Sequence, residues 1–192
     1  MTNYKTFVVI NPTSGNKATG KNINHIRDCL STIGEFEFAI TEYKNHAKKL
    51  AQEALKEGFD RIIAVGGDGT FNEVVNGFFQ GGYPINEDAV LGLISSGTGA
   101  DFVRTINIPK DIKSSINIIK GNRIKEIDVG KVSYTLLNNK IETRFFINIA
   151  NVGIGSEVAH KVNNSSKILG GFLSFLNATI TTVINYKNKE TE

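Results

Sequence analysis

Three glycines in four residues surround an acid at Gly66-Gly67-Asp68-Gly69, and Thr70 follows at once. Without a Cβ, such a loop lets backbone N–H groups approach phosphate oxygens, and the carboxylate can hold Mg2+ directly or through water. A tight turn needs only one such glycine, so three around an acid point to anion and metal chemistry. Thr70 and Glu73 have capping-box spacing, which would set the positive end of a helix against the loop. Ser95-Ser96-Gly97-Thr98-Gly99-Ala100-Asp101 repeats the design, with Thr98 and Asp101 at the same spacing. A third loop is Asn11-Pro12-Thr13-Ser14-Gly15.

Two nearby patterns fail. Gly15, Gly20 and Lys21 have phosphate-binding P-loop spacing, but Asn22 stands where a Ser or Thr would ligate Mg2+. Gly153-Ile154-Gly155 begins a dinucleotide pattern, but Val158 occupies the place of its last glycine. His25, His46 and His160 lie far apart on expected helices and read as surface or packing residues. No serine lies in a GxSxG elbow, and Cys29, the one cysteine, reads as a small apolar helix residue. Covalent catalysis, a disulfide framework and a cysteine zinc site are therefore not expected.

The elements that position these loops can be read from periodicity. Residues 6–10 (TFVVI) and 61–65 (RIIAV) are continuous apolar runs, as in buried parallel strands, and 35–41 and 89–94 add two further strands. Between them, Ile23, Ile26, Leu30 and Ile33 mark a helix over 20–33. Ala47, Leu50, Ala51, Ala54 and Leu55 mark another, ended by Gly58, and 70–79 and 111–120 are also expected helices. This β-α-β-α-β-α-β rhythm with short connections predicts a doubly wound parallel sheet, its glycine loops at the carboxyl ends of strands, where ligands bind. After about residue 123 the rhythm changes. Two strand-like runs flank Asn138-Asn139, which suits a hairpin, and 153–162 and 168–186 look helical. We therefore expect a nucleotide-binding domain over 1–122 and the incomplete start of a β-rich second domain over 123–192.

The 192 residues amount to about one and a third domains at roughly 150 residues each. With 40% hydrophobic residues and a net charge of +3, the chain is not a disordered one. The 22 basic and 19 acidic residues are scattered, so no nucleic-acid groove is indicated. No run reaches the roughly 18 apolar residues of a membrane span, and the short apolar run near the N-terminus reads as a strand. A cytoplasmic location is the default expectation. The apolar stretch 168–186 reads as a core or inter-domain helix, because its polar face is not basic.

Taken together, Asn11-Pro12-Thr13-Ser14-Gly15, the run Gly66-Gly67-Asp68-Gly69-Thr70-Phe71-Asn72-Glu73-Val74-Val75-Asn76-Gly77, and Gly97-Thr98-Gly99-Ala100-Asp101-Phe102-Val103-Arg104 resemble the diacylglycerol kinase catalytic domain. That group of bacterial lipid kinases is related to sphingosine and ceramide kinases. The Gly-Gly-Asp-Gly-Thr loop is shared with NAD kinases and, more distantly, phosphofructokinases. The asparagine-proline loop and the Glu73-to-Gly77 helix point to the lipid branch. Ile127-Asp128-Val129-Gly130-Lys131 and Phe146-Ile147-Asn148 with Val152-Gly153-Ile154-Gly155 look like that family's entry into its second domain.

The resemblance implies an ATP- and Mg2+-dependent lipid kinase that phosphorylates a diacylglycerol-like or sphingoid hydroxyl at a membrane surface. It implies ATP contacts at Asn11, Pro12, Thr13, Ser14, Gly15, Thr41, Gly66, Gly67, Asp68, Gly69, Thr70, Phe71, Asn72 and Thr98. Asp68 would organise Mg2+ and the phosphates, and Asp101 would join that catalytic network. The expected location is then cytoplasmic and peripheral to the inner membrane face, with a homodimer as one expected assembly. Ala100 stands where the family commonly has Asn. The family's general base lies beyond the point reached by Glu192, so no residue is assigned to that role. A truncated nucleotide-binding homologue without turnover and an NAD kinase-like enzyme remain the alternatives.

Overall fold

Residues 4–96, 101–136, 138–150, 153–164 and 171–186 are described by a computed structural model. Four strands form one parallel sheet: β1 (Thr6–Ile10), β2 (Phe36–Ile40), β3 (Arg61–Gly66) and, after a two-stranded ribbon of β4 (Phe79–Gln80) and β5 (Tyr83–Pro84), β6 (Val90–Ser95). Their order is β2-β1-β3-β6, with Thr6 opposite both Phe36 and Arg61, and Arg61 opposite Val90. Antiparallel β7 (Gly130–Thr135) and β8 (Ile141–Phe146) form the expected hairpin, in which Asn139 adopts a left-handed conformation at φ 61°.

The apolar runs are continuous because both faces of the sheet are covered. Alternate residues Val9, Ile62, Ala64 and Leu93 meet α3 (His46–Lys56), α4 (Asp68–Gly77) and α5 (Asp101–Thr105) on one side. Val8, Ile10, Ile63, Val65 and Ile94 meet α2 (Ile23–Leu30) and α6 (Ile112–Lys120) on the other. Each buried Val, Leu or Ile side chain among these contributes about 1.5–3 kcal/mol of transfer free energy, so this two-sided core holds the strand ends in place. The doubly wound α/β fold is thus realised.

Local differences from the expected elements have simple causes. The helix expected over 20–33 is divided into α1 (Ala18–Lys21), α2 and a 3-10 turn at Ser31–Ile33. Gly58 follows α3 at φ 84°, as a helix-terminating glycine should. Asp111 precedes α6 as its N-cap, its carboxylate accepting the Ser114 N–H at 2.8 Å. That bond holds the exposed carboxyl below its usual range.

The chain divides into two compact units, Met1–Asn148 and Ile149–Glu192, so the hairpin belongs to the first. The second unit contains α7 (Ile154–Asn164) and α8 (Gly171–Asn185), which pack against each other. Among the described residues, no helix is long and apolar enough to cross a membrane.

Candidate functional site at the carboxyl edge of the sheet

The chain leaves β1 toward β2 and leaves β3 toward β6, so the two connections diverge between the central strands. Such a switch point opens a crevice at the carboxyl ends of an α/β sheet. The strand pairing extends into the loops: Asn11 N–H donates to Val65 O at 2.9 Å, Thr41 N–H to Ile10 O at 2.9 Å, and Ser96 N–H to Gly66 O at 2.8 Å. The expected loops after β1, β2 and β3, together with the start of the loop after β6, therefore stand side by side.

Side chains join them. Asn11 bridges the switch point by donating through Nδ2 to Thr70 Oγ1 at 2.8 Å. Its Oδ1 accepts from both the N–H and the hydroxyl of Thr13, at 3.0 and 2.8 Å. Ser14, Thr19 and Ser96 form a hydroxyl triangle with sides of 2.6, 2.9 and 2.7 Å, tying the first loop to the end of β6. Gly15 has φ 59°, and a Cβ there would strike the Ser96 carbonyl oxygen. A side chain is thus excluded by conformation and by space together.

The glycines after β3 have separate reasons. A Cβ on Gly66 would lie 2.5 Å from Thr70 Oγ1, so this residue is small because the helix turns directly over it. A Cβ on Gly69 would meet nothing within 4 Å. Packing does not require that glycine; its bareness leaves room above the first turn of α4.

The Thr70–Glu73 capping box is not formed. Helix α4 begins at Asp68 with extended Gly67 as N-cap and no side-chain cap, which puts Thr70 inside the first turn, facing Asn11. The tertiary bond to Asn11 takes the hydroxyl that a capping box would have used. The positive end of α4 is still directed at the loop, and the N–H groups of a first helical turn have no partner within the helix.

Asp68 reaches the neighbouring loop. Its Oδ2 accepts the Asp101 N–H at 3.3 Å and its Oδ1 the Phe102 N–H at 3.2 Å, so one carboxylate caps α5. Asp101 joins this group through its backbone, while its exposed side chain pairs with Arg104 at 3.1 Å. Phe71 is buried in the core, and Asn72 is half-buried one turn into α4. Pro12 and Thr41 line the same edge. Thr98, with Gly97, Gly99 and Ala100, lies outside the described residues.

The donor set fits Mg2+. Each Asp68 oxygen accepts one N–H and keeps further lone-pair capacity. Among the described residues there is no group of three or more His, Cys, Asp or Glu side chains to form an all-protein cage. Mg2+ is commonly held by one or two carboxylates together with substrate phosphates, a pattern that one acid beside a phosphate loop can satisfy.

Several participants escaped the sequence reading. Thr19 lies in α1 and Ser96 just after β6, and nothing in their spacing marks them as partners. Asn76, one turn beyond Asn72, pairs with the Phe145 backbone, donating from Nδ2 to its carbonyl at 2.8 Å and accepting its N–H at 2.9 Å. This buried amide joins α4 to β8. The (i, i+4) pair of asparagines was the available signal.

Fold and site together define a doubly wound α/β protein whose glycine-rich loops meet at the sheet's switch point. The family model of the diacylglycerol kinase catalytic domain matches residues 5–132. The chain belongs to that family. It is 35% identical over 171 residues to a diacylglycerol kinase of Staphylococcus haemolyticus, covering 88% of this chain and 48% of that protein. To a diacylglycerol kinase of Bacillus subtilis it is 34% identical, covering 88% and 52%. A crystal structure of a diacylglycerol kinase from Bacillus anthracis superposes with a TM-score of 0.63 at 28% identity, over 83% of this chain and 52% of the other. The chain spans about half the length of the curated relatives it matches.

Proposed function

We propose that this chain carries the nucleotide-binding half of an ATP- and Mg2+-dependent lipid kinase, whose acceptor is a diacylglycerol-like or sphingoid alcohol presented at a membrane surface. One observation carries this reading. Three loops are bound to one another around a helix N-terminus that no side chain caps, with the open face of Gly69 above it.

Phosphoryl transfer needs positioning and charge stabilisation more than covalent chemistry. The phosphates of ATP would lie against Asn11, Pro12, Thr13, Ser14 and Gly15 and against Gly66, Gly67, Gly69 and Thr70. Thr41, Asn72 and Thr98 complete the proposed contacts, whereas Phe71, buried in the core, holds α4 in place. Asn11 keeps the two central loops at a fixed separation, and the α4 terminus supplies partial positive charge to the phosphate oxygens. Asp68 would hold Mg2+, which when bound neutralises phosphate charge, while the same carboxylate keeps α5 and Asp101 beside the loop. Residues 1–122 would form the nucleotide domain and 123–192 the start of a lipid-binding one. The location would be cytoplasmic, peripheral to the inner membrane face, with a homodimer as the proposed assembly.

The test has two stages. Calorimetric titration should detect ATP binding strengthened by Mg2+, and Asp68→Ala should lose the Mg2+-dependent part. Labelled ATP with mixed micelles of diacylglycerol or a sphingoid base should then yield phosphorylated lipid, absent in the variant. Saturable ATP binding without lipid product would identify a binding module without turnover, and phosphorylation of NAD instead would identify a soluble-acceptor kinase.

A further inference from the structure

Beside the phosphate loops stands an aromatic pair that the reading above does not use. Tyr43 follows Thr41 by two residues at the end of β2. Its ring lies face to face on that of His46, with centroids 4.2 Å apart and planes inclined by 8°. The support is itself fixed. His46 is the first residue of α3, and its Nδ1 accepts the Glu42 N–H at 3.1 Å, which leaves the ring proton on Nε2 and sets the ring plane. Asn45, at φ 67°, turns the chain so that the two rings meet. His46 covers one face of Tyr43, yet Tyr43 is 55% exposed, so its other face is open to solvent. A rigid, backed aromatic surface with a free face has paid its ordering entropy before any ligand arrives.

Its position fits a nucleotide. Strands of a sheet lie about 4.8 Å apart, so the end of β2 is about 10 Å from that of β3 across β1. This is about the reach from a nucleotide's base to its phosphate chain. In doubly wound sheets ligands lie outside the carboxyl ends at the switch point, so a nucleotide with its phosphates at the loops after β1 and β3 can extend its nucleoside half past β1 to the end of β2. We propose that Tyr43, backed by His46, is the platform on which the base of the bound nucleotide stacks. The proposal rests on the reading that the neighbouring loops hold the phosphates, and it adds where the base lies. The contact uses the ring face, so the phenol hydroxyl is dispensable, and any purine serves better than a pyrimidine.

The experiment compares ATP with inorganic tripolyphosphate, which carries the phosphates without the base, by calorimetry on the full chain. Tyr43→Ala should weaken ATP binding about tenfold and leave tripolyphosphate binding unchanged. Tyr43→Phe should bind ATP like the wild type, and His46→Ala should show a smaller loss, again confined to ATP. Unchanged ATP affinity in Tyr43→Ala would overturn the platform while leaving the phosphate site standing. Equal losses for ATP and tripolyphosphate would also overturn it, because they would mean a distorted loop. A wild-type chain that binds neither ligand would remove the phosphate site and the platform together.

Discussion

The two ends of the central sheet each carry a polar network, but they treat their polar groups differently. At the amino end, Arg61 is buried and stacked 5.0 Å from the Tyr4 ring centroid, and its Nε donates to Thr6 Oγ1 at 2.8 Å. Burial pushes its guanidinium below the usual value, against the opposing influence of Tyr4 and Asp60. Nearby, Lys5 sits 4.0 Å above the Phe59 ring and donates to Glu57 O. These groups are spent on closing the fold. At the carboxyl end, Asn11, Ser14, Thr19, Thr70, Ser96 and Asp68 bind one another across loops, but α4 has no side-chain cap and Gly69 faces open space. At the switch point the network surrounds a helix end that no side chain caps, whereas at the amino end the cationic group is itself buried in the fold.

The contrast can be broken most sharply at Gly15. Gly15→Ala must hold a left-handed conformation while its Cβ meets the Ser96 carbonyl, so stability should fall by about 3 kcal/mol in urea unfolding, with ATP binding lost as well. Arg61→Ala tests the sealed end. We expect a loss of about 2 kcal/mol from packing and a hydrogen bond, with ATP affinity unchanged; an affinity change would mean the two ends are coupled. Gly69→Ala should separate the two roles, because Ala is favoured in a helix and has room. Unfolding should show a gain of about 0.5 kcal/mol while ATP binds more weakly.

The smallest effect concerns Asp111. Its folded carboxyl lies below the unfolded value of about 4, so its contribution is present above that pH and is lost as pH falls through the folded value. Thermal melts through the acid range should show a shallower decline for Asp111→Ala than for the wild type.

The sheet was legible because a strand covered on both faces must be apolar along its covered length, as residues 7–10 and 62–65 are, and because helices that cover it must carry a stripe such as Ala47, Ala51 and Ala54. The glycine loops were legible because few roles demand three glycines around an acid. The start of α4 was misread: the Thr70–Glu73 spacing satisfies a local rule, but a bond to a residue 59 positions away took the threonine hydroxyl. The Ser14–Thr19–Ser96 triangle could not be read at all, since Ser14 and Ser96 are 82 residues apart and neither has a periodic signature. Tyr43 and His46 gave no signal either, because the left-handed turn at Asn45 is what stacks them.

By itself, the sequence determined which segments are strands and helices and where glycine leaves the backbone bare, because periodicity and glycine content act within a few residues of the chain. Only the tertiary structure decided which loops become neighbours, which hydroxyls are consumed between them and which helix end remains uncapped. Those outcomes depend on strand order, β2-β1-β3-β6, and the contacts it creates join residues that local preference never compares.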